Sequence, residues 1–337
     1  MDTQVKKRNL DEISFIRPLL ILDLIFLHAF APWGGGWAET ANFEASEIYF
    51  WIDQFAASFM LPTFVFMSGY VWAYQREELG RIESFFELFK KKFTRLYLPC
   101  LLFSILYIAL LQPANLTSTG ILRIFIGVGH LWFLAMLFAC FLIYHILLRL
   151  GGVNYTTPII VLLFMIIPVG RPQSFFFIVF FHLGYLTFTI FKKHSNLLSL
   201  KNVIFSWFVF GAFFVLITYA ARYIRLNYTE AIPHVFHYTY YPSFLVTGIL
   251  GIWTLILTSK YFTQKRQLNT KYVQLGSLCF GVYIFQEFIL QWFYYHTNLV
   301  YNIPNILLPW IAVISTLAIS TLITYILRLT KLGKMIL

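Results

Sequence analysis

Charge is scarce in this chain. Asp, Glu, Lys and Arg make up 12% of its 337 residues, against 59% apolar and 20% aromatic residues. Soluble domains carry about 25% charged residues, so the composition excludes an ordinary soluble fold. Acidic groups are the scarcest, 14 against 25 Lys and Arg. Cysteine is nearly missing too. Cys100, Cys140 and Cys279 stand inside apolar runs without a C-x-x-C pair, which indicates neither a disulfide framework nor a zinc site. No A-x-A-like cleavage site follows the first apolar run, which therefore reads as an uncleaved first helix. No fixed-period repeat and no low-complexity linker divides the chain. One integral membrane domain over 1–337 is expected, with cytoplasmic tails at about 1–12 and 330–337.

What is present is a series of apolar runs of about 17–25 residues, long enough to cross a bilayer as helices. A transmembrane β-barrel would show alternating segments of roughly ten residues instead. The expected fold is an all-α polytopic integral membrane bundle with ten transmembrane helices. Their spans fall at about 13–31, 50–74, 96–112, 121–149, 157–170, 174–191, 201–221, 243–259, 273–297 and 305–329. Lys and Arg orient it. With both termini cytoplasmic, 20 basic residues lie inside and 4 outside, Arg17 within the first span being the last. Losing the short fifth span would put several basic loops on the wrong side. The formal charge of +11 is then a topology signal rather than a sign of nucleic acid. "KKKFTR" (90–95) can also attract an anionic cofactor.

Ionisable groups inside apolar spans are costly and point to function. "RPLLILDLIFLH" (17–28) holds three of them. Arg17 and His28 are eleven residues apart, so they share a helix face about 16 Å apart. Arg suits phosphate, and His suits base chemistry near neutral pH. Taken alone, the pair also reads as a snorkelling Arg and a satisfied core His. Pro18 suggests that the helix starts there with Arg17 as its cap. Asp23 lies off the stripe, as a partner for another helix or in a polar cavity. His130 in "GVGHLWFL" (127–134) is expected at the depth of His28, beside Trp132, for which an interfacial belt is the other account. Glu287 either orients an imidazole, as in triad logic, or pairs with an Arg. Ser68, Gly69 and Tyr70 permit close approach by a helix or a ligand. Asp53 reads as interfacial and His182 as a packed, hydrogen-bonded His. The expected outer loop 222–242 joins aromatics to His234 and His237, suiting a sugar or a plain aromatic belt.

Together these elements resemble the acyltransferase-3 family of bacterial integral membrane acyltransferases. Arg17, ten residues and His28 match its first-helix signature. Phe64 to Tyr70 is similar to its F-x-x-S-G-Y/F element, Arg95 to Pro99 to its R-(L)-x-x-P element, and "HLWFL" at 130–134 to a further one. A His common in the family's late Y-x-x-H element is replaced by Gln286, three residues after Tyr283. The resemblance implies transfer of an acyl group, usually acetyl, from cytoplasmic acyl-CoA to a hydroxyl of an extracytoplasmic or lipid-linked surface saccharide. It implies acyl-CoA (acetyl-CoA) as donor, no metal, a saccharide and lipid surroundings as partners, and the bacterial cytoplasmic membrane as location. In this scheme Arg17, Ser68, Gly69, Tyr70 and Arg95 hold the donor. His28 is the base, His130 the oxyanion donor and Glu287 their carboxylate. Trp132, His234 and His237 face the acceptor. An exporter or flippase of lipid-linked glycans is the alternative from another class.

Overall fold

The computed structural model describes residues 10–41, 43–113, 118–166, 173–193, 199–228, 235–264 and 268–337. These form helices, with no strand among them: α1 Asp11–Gly34, α2 Glu47–Ala73, α3 Phe85–Lys92, α4 Leu98–Leu111, α5 Ser118–Ile126, α6 Trp132–Ile166, α7 Gln173–Lys193, α8 Leu200–Tyr228, α9 Val235–Thr263, α10 Thr270–Tyr295, α11 Leu308–Leu329 and α12 Lys331–Ile336. Among the described residues, eight segments are long and apolar enough to span a membrane, and Phe176–Ile190 is a shorter apolar helix. The protein is an all-α, multi-pass membrane protein.

Several boundaries differ from the sequence-based expectation. α1 begins at Asp11, so Pro18 lies inside the helix and Arg17 is no cap. A membrane-type helix tolerates the missing N–H at an internal proline. The expected span 121–149 is divided. α5 ends at Ile126, and the spanning helix starts afresh from a 3₁₀ turn at Gly129–Leu131. Gly127 (φ 96°) and Gly129 (φ 56°) make that break. α6 is itself interrupted at Gly152 (φ 66°), and its second half carries the described part of span 157–170. The expected loop 222–242 is largely helical. α8 runs on to Tyr228 and α9 starts at Val235, because apolar and aromatic residues continue past the polar ones. His234 lies outside the described residues. His237 is in the first turn of α9, and its side chain lies outside them too.

The chain forms two compact units. One holds the chain up to Ile16, Ser58–Phe85 and Cys140–Asn269; the other holds Arg17–Ala57, Phe86–Ala139 and Thr270–Leu337. In the first, α2 and α7 cross through paired glycines. A Cβ on Gly69 would stand 1.9 Å from the Phe181 carbonyl, and one on Gly184 would stand 2.0 Å from that of Phe66. Glu12 is buried there, accepting from Tyr70 Oη at 2.8 Å and Lys260 Nζ at 3.1 Å. In the second unit, α10 and α11 approach closely where Gly281 meets Thr324. An aromatic cluster of Phe30, Trp33, Tyr49 and Trp310 closes one end of it.

Candidate functional site

Glu287 organises a polar cluster in the second unit. It sits on α10, which is buried from Gly281 to Phe288. Its Oε1 accepts from Tyr107 Oη at 2.9 Å, and its Oε2 accepts the backbone N–H of His130 at 3.0 Å. His130 Nδ1 lies 3.0 Å from Oε2 and His28 Nε2 lies 3.8 Å from it. A buried carboxylate is tolerable only when donors surround it, and here α4 and the turn before α6 supply them.

The turn before α6 explains how a main-chain donor reaches that carboxylate. Gly129 holds a left-handed backbone conformation, natural for glycine and strained for other residues. A Cβ there would stand 2.6 Å from Glu287 Oε1. The Val128 N–H is held by Ser104 Oγ at 3.1 Å, and Tyr283 Oη donates to the His130 carbonyl at 2.7 Å. α4 and α10 thus fix the turn from both sides.

His130 Nε2 lies 3.1 Å from the Ile284 carbonyl and must donate to it. Its Nδ1 lies 3.0 Å from Glu287 Oε2, out of hydrogen-bond alignment. With its ring and backbone N–H groups directed at protein acceptors, His130 anchors Glu287.

His28 comes from the C-terminal turns of α1. Its Nδ1 lies 2.9 Å from Gln286 Oε1, and its side chain is 14% exposed. After α1 the chain turns back through Gly35 (φ 80°), with the Gly36 N–H bonded to the Ala31 carbonyl at 2.9 Å. Trp37 then stacks on His28, ring centroids 5.5 Å apart and planes 15° apart. Tyr294 and Tyr295 of α10 flank Trp37 and donate to the carbonyls of Ala29 and Ala38, each at 2.6 Å. His28 and His130 stand edge to face at 6.2 Å. The two histidines and the carboxylate named from sequence therefore meet.

The other candidates are dispersed. Arg17 is exposed on α1, and Arg95 is exposed in the π-helical turn Phe93–Tyr97. Trp132 opens α6, but the ring stacked on His28 is that of Trp37. In the first unit, Ser68 bonds the Phe64 carbonyl one turn back at 3.1 Å, Gly69 serves the crossing with α7, and Tyr70 is bound to Glu12. These contacts are helix packing, not an open ligand surface. Asp53 is 5% exposed and packs against Gly34, so it is buried rather than interfacial. His182 bonds Tyr144 Oη at 2.8 Å and Thr157 Oγ1 at 3.0 Å, a satisfied packed ring. The Oδ2 of Asp23 is buried without a hydrogen-bond partner among the described residues. Those residues contain no group of three or more His, Cys, Asp and Glu placed to hold a metal.

Sequence reasoning missed Gln286, Tyr107, Tyr283 and Trp37 as site residues. The cue for Gln286 was its place beside Glu287 in an apolar helix. Tyr107 gave none, since tyrosines are common in such helices.

Neither the curated proteins nor the solved structures yield a match. The family model described as an acyltransferase domain matches residues 10–328, nearly the whole chain and both compact units. A membrane bundle with a buried His–carboxylate cluster accords with such a domain, and the chain belongs to the acyltransferase-3 family.

Proposed function

We propose that this acyltransferase moves an acyl group, acetyl in the first instance, from cytoplasmic acyl-CoA to a hydroxyl of an extracytoplasmic or lipid-linked surface saccharide. Its place is the bacterial cytoplasmic membrane, with both termini inside. The observation that carries the reading is His28 Nε2, free of a hydrogen-bonded partner among the described residues and 3.8 Å from the Glu287 carboxylate.

A sugar hydroxyl is a poor nucleophile until its proton is accepted. Nε2 takes that proton as the oxygen attacks the thioester carbonyl. The resulting imidazolium is stabilised by Glu287. The tetrahedral intermediate expels the CoA sulfur, which leaves as the thiol once it takes the proton from His28. Arg17 and Arg95, both exposed, provide positive charge for the donor's phosphates, and Lys90 is exposed on α3. About 16 Å of helix separates Arg17 from His28, a span suited to the extended pantetheine arm. Aromatic faces near His28, Trp37 above all, suit a sugar ring.

The test is His28→Ala. The expected result is loss of surface O-acetyl groups with the protein still at normal level in the membrane. Full acetylation by that variant would remove His28 from this role.

A further inference from the structure

We propose that Gln286 is the positioning residue that fixes the His28 imidazole with Nε2 as its proton-accepting nitrogen. The inference rests on the base role given to His28 above. A neutral imidazole carries one N–H, and the nitrogen facing an oxygen acceptor must be the one that bears it. Gln286 Oε1 stands 2.9 Å from Nδ1, which puts the hydrogen there and leaves the lone pair on Nε2.

The opposite orientation of the amide has a different chemical outcome. An NH₂ facing Nδ1 would occupy that lone pair and force the hydrogen onto Nε2. Neither nitrogen would then accept a proton from a substrate. The direction of one buried amide therefore decides whether His28 is a base.

The surroundings hold this arrangement in place. Gln286 is completely buried, in the turn of α10 that also carries Tyr283 and Glu287. Trp37 covers one face of the imidazole and His130 meets it at an edge. The charged and titratable groups facing the ring are Glu287 of α10 and His130 of the turn before α6. Glu287 Oε2 is already bonded to the His130 N–H and lies beyond hydrogen-bond range of Nε2, so it acts there through charge alone. The Nε2 of Gln286 meets no acceptor among the described residues.

The experiment uses the full-length protein in lipid nanodiscs, with ¹⁵N-labelled histidine read by solid-state NMR. His28 is assigned by its disappearance in His28→Asn. Wild type is expected to show neutral His28 protonated at Nδ1. Protonation at Nε2 as the main neutral form overturns the proposal, with no variant needed. Gln286→Met is expected to lose that preference and lower kcat for acetyl-CoA turnover about 10²-fold, with KM for acetyl-CoA unchanged. Gln286→Glu, which keeps an acceptor oxygen, is expected to retain the Nδ1–H form and recover most of the rate. A Gln286→Met protein with unaltered tautomer and kcat also overturns it. Activity surviving in His28→Ala would instead defeat the base role itself, so the two failures are separable.

Discussion

At the scale of single residues, the site depends on how many groups share one carboxylate. Glu287 is contacted by a phenol, a backbone amide and an imidazole, with a second imidazole nearby. Glu287→Gln keeps the size and removes the charge that stabilises a protonated His28. The expected result is a fall in kcat of about 10²-fold, measured at saturating acetyl-CoA, with the protein still folded. Gly129→Ala has a different expected outcome. It costs about 1–2 kcal/mol for the left-handed conformation alone, and its Cβ would overlap the carboxylate. Both activity and melting temperature in detergent should drop. Much of this site was legible residue by residue, because His28, His130 and Glu287 are ionisable groups in apolar runs. Their convergence was not, since it requires contacts between residues more than 100 apart in sequence. Tyr107 carries no charge that would have marked it out, and Gln286 stood out only as the residue in place of the family's late His.

At the scale of helices, small residues do two different things that look alike in sequence. Gly69 and Gly184 let α2 and α7 cross with backbone against backbone. Gly127 and Gly129 let the chain leave helical geometry and present an N–H. Ser68-Gly69-Tyr70 reads as either until the crossing partner is known. Gly184→Val should therefore lower thermal stability in detergent, as the first atom of its side chain meets the Phe66 carbonyl at 2.0 Å. Replacing Lys260 by Met removes the ammonium that donates to the buried Glu12 carboxylate beside Tyr70. A loss of about 3–5 kcal/mol is expected, and adding Glu12→Gln should restore much of it. Both effects are read from melting of the purified protein. The helical run through 222–228 was missed because Arg222, Arg225 and Asn227 signal the end of a span, and a helix can outlast the lipid.

At the scale of the whole molecule, composition and the lengths of apolar runs sufficed for the class, since lipid admits few backbone solutions. The break at Gly152 lies where the sequence places an inner loop between its fourth and fifth spans, 121–149 and 157–170. The charge bias predicts a further outcome. Reporter fusions at the N-terminus and after Leu337 should both report the cytoplasmic side. An external N-terminus would reverse the placement of Arg17 and His28, and with it the direction of transfer.

The bond from the His130 main chain to Glu287 has a consequence for what mutation is able to erase. A main-chain donor is common to every residue but proline. Evolution or mutagenesis can therefore exchange the ring at position 130 while the carboxylate keeps one of its holders. Intolerance at 129 would be the genetic signature of that division, with the glycine guarding the shape of the turn.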